Sequence, residues 1–116
     1  MQEILSIVPQ LPSLNFEATK ELYIQNLGFT LIGEYPDNLL LFTINGQELH
    51  FWKCNDKTIA ESSSVYIRVQ NIDVLYEKYK PWQHPNSTLS NKPWGMREFH
   101  ILDDSGNLLR FGQPIQ

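Results

Sequence analysis

The sequence predicts an α+β fold built from two similar βαβββ halves, and three observations lead there. The first is the order of local signals: strand, helix, strand and hairpin, then a polar stretch, then the same order again. The second is a faint match between the halves. VPQLPSLNFEATKELY at 8–23 lies over SVYIRVQNIDVLYEKY at 64–79, so that Leu11 meets Ile67 and Tyr23 meets Tyr79. ELHFW at 48–52 likewise lies over LLRFG at 108–112. The third is strand alternation, which gives each hairpin one apolar face and one mixed face.

Taken in order, Ile4 to Leu11 is a β-prone run closed by Pro12. Asn15 is placed to cap a helix carrying Phe16, Leu22, Tyr23 and Leu27, with Gly28 as its stop. Phe29 to Glu34 reads as a strand and Pro36-Asp37 as a turn. Asn38 to Ile44 and Gln47 to Lys53 form a hairpin across Asn45-Gly46, a preferred dipeptide for a two-residue loop. Residues 54–63 read as a polar linker, with Cys54 in an exposed setting. Then Ser64 to Val69 is a strand and Ile72 to Lys80 a helix that ends before Pro81. Trp82 to His84 is a short strand, and Pro85 to Gly95 an irregular loop. Arg97 to Leu102 and Asn107 to Gly112 form the second hairpin. The expected organisation is one domain over 1–116, with module one about 1–54 and module two about 62–116.

Turn chemistry sets which side chains share a face. In the first hairpin, Asn45-Gly46 pairs Ile44 with Gln47, Phe42 with Leu49 and Leu40 with Phe51 on the apolar face. Thr43–Glu48, Leu41–His50 and Leu39–Trp52 fall on the other. In the second, a loop from Asp103 to Gly106 would pair Phe99 with Arg110 and put a charge in the core. A three-residue loop, Asp104-Ser105-Gly106, avoids this if Gly106 takes the left-handed position. Ile101–Leu109 and Phe99–Phe111 then face inward, while Leu102–Leu108, His100–Arg110 and Glu98–Gly112 face the other way.

A sheet face that is merely solvated normally carries Lys, Thr and Ser. These faces instead carry Leu39, Glu48, His50 and Trp52 from one half, and Tyr66, Glu98, His100 and Arg110 from the other. Apolar walls with a few placed polar groups suit a partly enclosed ligand site. The competing explanation is structural: a Glu98–Arg110 ion pair, with the aromatics closing a dimer interface. Trp94 has the same two readings, as a stacking surface or as a loop anchor between Pro93 and Gly95.

The bulk properties narrow the function. With 41% hydrophobic and 19% charged residues, the chain has globular composition. Its net charge of −4 argues against nucleic acid as a partner. One cysteine leaves no intrachain disulfide, and no apolar run is long enough for a bilayer, so a cytoplasmic protein is expected.

Four stretches carry a resemblance: LPSLNFEATKELYIQNLGF, ELHFW, VYIRVQNIDVLYEKY and PWGMREFHILDDSGNLLRFGQP, in order across 11–114. In them the chain resembles the vicinal oxygen chelate superfamily (glyoxalase/bleomycin resistance/dioxygenase), most of all its bleomycin resistance branch. That resemblance implies two βαβββ modules forming a curved mixed sheet around a cup, in a homodimer with ligand clefts at the interface. It implies sequestration of a small molecule, such as a bleomycin-type antibiotic, without metal or chemistry. The expected ligand-binding residues are Leu39, Glu48, His50, Trp52, Tyr66, Trp94, Glu98, His100 and Arg110. Metal-dependent members of the superfamily place ligands at points that fall here on Val8, His50, Ser64 and Arg110, of which only His50 is a good donor. No cofactor and no catalytic residue are therefore expected. His50, Arg68 and Arg110 make the cup less acidic than the branch's drug-binding pattern. The alternatives are an enzyme of the superfamily, a glyoxalase-like lyase or isomerase with an atypical site, and an interaction module whose cup holds a partner chain.

Overall fold

The computed structural model describes residues 2–116. The strands form two four-stranded sheets whose orders correspond. The first consists of β1 (Gln10–Ser13), β4 (Gln47–Lys53), β3 (Leu39–Ile44) and β2 (Thr30–Tyr35), in that spatial order. The second consists of β5 (Ser64–Arg68), β8 (Leu108–Pro114), β7 (Met96–Leu102) and β6 (Ser90–Asn91). In each, the first strand lies parallel to the last and the other pairs are antiparallel. The register repeats as well: Leu11 sits opposite Phe51, and Ile67 opposite Phe111.

Both hairpins pair as their turns dictate. Asn45 (φ 49°) and Gly46 (φ 78°) make the mirror-image turn whose twist suits adjoining strands, and Leu40, Phe42, Leu49 and Phe51 are buried. Gly106 has φ 101°, and Asp103 N–H donates to Asn107 O over 3.0 Å, closing the three-residue loop. Phe99 and Phe111 therefore stack inward, ring centroids 5.0 Å apart. Burying each such ring contributes about 2–3 kcal/mol, which makes this register strongly preferred.

The helices depart further from expectation. Asn15 does cap α1 (Phe16–Lys20), accepting from Ala18 N–H over 3.0 Å, and Gly28 (φ 85°) ends the segment. Between them the chain widens into a π-helix at Glu21–Asn26, where Leu27 N–H donates to Leu22 O. The wider turn keeps Leu22, Tyr23 and Leu27 buried together. The supposed linker holds α2 (Lys57–Glu61), capped by Asp56, whose side chain accepts from Thr58 N–H. Its Ala60 packs inward, and Cys54 is buried rather than exposed. α3 spans Ile72–Tyr79 and passes into a 3-10 turn at Lys80–Trp82. Residues 82–84 form only an isolated bridge, Gln83 to Ile101. The strand expected at 4–11 and closed by Pro12 is displaced: β1 runs through Pro12 to Ser13, residues 2–9 carry no strand, and Ile4, Leu5 and Ile7 are 76, 90 and 89% exposed.

Among the described residues no ladder joins the two sheets, so hydrogen bonding makes two curved sheets and not one. Side chains join them instead, mostly at the turn 103–107. Tyr23 O–H donates to Asp103 Oδ2 (2.7 Å), Thr19 O–H to Asp104 Oδ2 (2.6 Å), and Asn107 Nδ2–H to Pro12 O (2.8 Å). Leu14 N–H donates to Ser105 Oγ over 2.9 Å. Asp103 also accepts from the N–H groups of Ser105, Gly106 and Asn107. Burial raises the Asp103 carboxyl above its ordinary range despite these donors, and raises the Tyr23 phenol well above its own.

Candidate functional site

Alternation leaves one face of each sheet open. On the first sheet, β-pairing lines up Tyr35, Leu39 and Trp52 across three strands, and Gly33, Leu41, His50 and Gln10 form the next row. Tyr35 is 58% exposed, while Leu39 and Trp52 are half-buried. His50 Nε2 lies 2.9 Å from Glu48 Oε1 on the same strand. This face therefore offers an apolar, aromatic row with one polar pair beside it.

The open face of the second sheet is polar. Glu98, on β7, is 1% exposed yet lies close under the surface, covered by two aromatic side chains. Tyr66 O–H donates to Glu98 Oε2 over 2.7 Å, and Trp94 Nε1–H donates to the same oxygen over 2.9 Å. The Arg110 guanidinium lies over the Tyr66 ring, 5.6 Å from its centroid. Glu98 Oε1 is 3.8 Å from Arg110 Nη2 and 3.9 Å from His100 Nε2, too far for hydrogen bonds.

Gly112 makes this cluster possible. It stands between Tyr66 and Glu98, and a Cβ built on it would fall 1.9 Å from the Tyr66 oxygen. Without a side chain there, the Tyr66 ring crosses β8 to reach the carboxylate. Burial alone would raise the Glu98 carboxyl. The Trp94 and Tyr66 hydrogen bonds, with the charges of Arg110 and His100, outweigh it and hold the group below its ordinary range. Burial and the Arg110 charge, opposed by Glu98, lower the His100 imidazole. Burial, followed by the bond to Glu98, pushes the Tyr66 phenol up to about 12.

Five of the residues expected at the site, Tyr66, Trp94, Glu98, His100 and Arg110, thus form one cluster. Leu39, Glu48, His50 and Trp52 lie on the other sheet, and among the described residues no hydrogen bond or ion pair joins the two groups. Two surface depressions, of about 340 and 260 Å³, lie elsewhere, beside Arg97 and Gln113 and beside Leu22 and Trp82. Tyr35 and Gly112 are additions. The Glu98–Gly112 pairing already pointed to a neighbour needing space, whereas a register shift between Leu31 and Gly33 obscures the parity of Tyr35.

The donors do not fit a divalent metal. His50 faces Gln10, not Val8, and Arg110 faces Tyr66, not Ser64, because each pairing lies two residues further along. Among the described residues no three His, Cys, Asp or Glu side chains converge, and the Arg110 guanidinium would repel a cation. Cys54 is buried, its thiol against the backbone of Asp56.

A bleomycin resistance protein of Geobacillus stearothermophilus is 30% identical over 132 aligned positions, spanning 97% of this chain and 99% of that protein. The chain belongs to the bleomycin resistance protein family. No family model matches it. The fold of this bleomycin resistance family member superimposes on a bleomycin-binding protein crystallised with bleomycin (TM-score 0.80, 22% identity, 95% of this chain and 98% of that one). A glyoxalase/bleomycin resistance protein/dioxygenase from Nocardioides is also similar (TM-score 0.78, 18% identity, 100% and 87%). These place the chain in the vicinal oxygen chelate fold. Among the described residues, no helix is long and apolar enough to cross a membrane.

Proposed function

We propose that the protein binds a bleomycin-type antibiotic, or a small molecule of similar chemistry, and sequesters it unmodified as a cytoplasmic homodimer. The observation that carries this reading is the complementary pair of open faces on a bleomycin resistance fold. One offers the aromatic row Tyr35, Leu39 and Trp52, and the other the polar cluster around Glu98. A flat heteroaromatic group stacks on the first, and polar ligand groups meet the second. The two faces belong to separate sheets, and in this reading a second copy setting one against the other encloses a cleft. The exposed Ile4, Leu5 and Ile7 give that association an apolar contribution. In this reading the chain is one domain of two modules, about 1–54 and about 62–116.

A thermal-shift titration with metal-free bleomycin tests it, since a ligand that binds only the folded state raises its apparent stability. Trp52→Ala and Glu98→Ala are each expected to weaken binding at least about tenfold, as truncating a buried contact does. If both variants bind bleomycin as tightly as the parent, the assignment of these faces is wrong.

A further inference from the structure

Among the described residues, three buried side-chain atoms without a hydrogen-bond partner belong to one sheet face: Glu98 Oε1, His100 Nε2 and Arg110 Nε. Glu98 Oε1 lies between the other two side chains, 3.8 Å from Arg110 Nη2 and 3.9 Å from His100 Nε2. Separations of this size are too long for direct bonds and short enough for a third group to span. Direct closure is prevented on both sides. Tyr66 and Trp94 hold Glu98 through its other oxygen, and Arg110 is laid over the Tyr66 ring.

Charge decides what the spanning group is. One carboxylate and one guanidinium cancel, and His100 is held toward its neutral form by burial and by Arg110. Arg68 and Lys92 act more weakly on the cluster. A cationic group would approach Arg110 and an anionic one Glu98, each at a cost. We propose that this cluster recognises an uncharged ligand group carrying a donor and an acceptor side by side, the simplest being a primary carboxamide. Its N–H donates to Glu98 Oε1 and its carbonyl oxygen accepts from the Arg110 guanidinium. The buried Glu98 Oε1 then gains its missing partner without a net charge entering the face. This rests on the ligand-binding reading of the same face and specifies its polar half. Trp94 stands beside it, 60% exposed, so its indole N–H reports occupancy.

The test uses three probes of one shape: benzamide, benzoate and benzylammonium, titrated separately into the full chain and followed by the Trp94 indole and His100 ring resonances. Benzamide is expected to bind about tenfold better than either charged probe, the scale of one hydrogen bond to a charged group. Glu98→Gln leaves Arg110 uncompensated and is expected to turn the preference toward benzoate. Arg110→Gln leaves Glu98 uncompensated and turns it toward benzylammonium. Thermal unfolding of each variant shows that it is folded. Equal responses to the three probes, or no response, mean that the three atoms serve an ordered water only, and overturn the proposal. So does a folded variant that keeps the parent's preference. Bleomycin binding, measured on the same samples, separates the two readings. Bleomycin bound without probe discrimination sinks the carboxamide inference alone. Discrimination without bleomycin binding sinks the drug reading and leaves the subsite standing.

Discussion

A methyl group on Gly112 has nowhere to go, because the Tyr66 hydroxyl already occupies its place. Gly112→Ala is therefore expected to dislodge Tyr66 from Glu98 and cost about 1–3 kcal/mol, the range for overpacking. Adding Tyr66→Ala removes the clash, so the double variant is expected to be more stable than the sum of the two single effects allows. Urea unfolding of the four proteins measures this, and strict additivity would mean that the ring does not cross the glycine. The same cluster sets a pH dependence. Glu98 is depressed below the ordinary carboxylate range, so its contribution is complete above the unfolded value, about 4.3, and is lost as pH falls through the lower folded value. His100 is also depressed, so the fold resists its protonation, and stability declines as pH drops below about 6.5. Stability curves against pH are expected to lose their Glu98-dependent acid limb in Glu98→Gln and their near-neutral decline in His100→Gln. Unchanged curves in both would contradict the charge assignments.

At the scale of elements, the hairpins were the most legible part of the sequence. Asn45-Gly46 and Gly106 specify turn geometry locally, and a period of two then assigns every side chain on the adjoining strands. Elements shaped by distant contacts were not legible in this way. The π-helical turn depends on packing Leu22, Tyr23 and Leu27 together, and α2 hides in a polar stretch whose one cap is Asp56. The short β1 follows from β4, the one strand it pairs with, and not from the apolar run that precedes it. The turn 103–107 shows the same limit. Its conformation followed from its residues, but its role as the junction with α1 and β1 did not, since those partners lie far away in sequence. Asp103→Ala would strand the Tyr23 hydroxyl and several backbone N–H groups in a buried setting. A loss of about 3 kcal/mol is expected in denaturant unfolding, and one below about 0.5 would show that the junction is not a structural tie.

For the whole molecule, the candidate site was half legible. The sequence placed Glu98, His100 and Arg110 on one face, and the structure adds Tyr66 and Trp94 as the groups that hold the carboxylate. What alternation could not reveal is that, among the described residues, no hydrogen bond or ion pair joins the two mixed faces, because each face belongs to a separate sheet. Two-fold symmetry would make two equivalent clefts, each built from both modules. The most direct measurement is a calorimetric titration of the full chain with metal-free bleomycin, followed by mass analysis of the recovered drug. Saturable binding of one drug per chain, with the drug returned chemically unchanged, is the predicted result. An absence of binding heat at several temperatures, or a drug recovered with altered mass, would contradict sequestration.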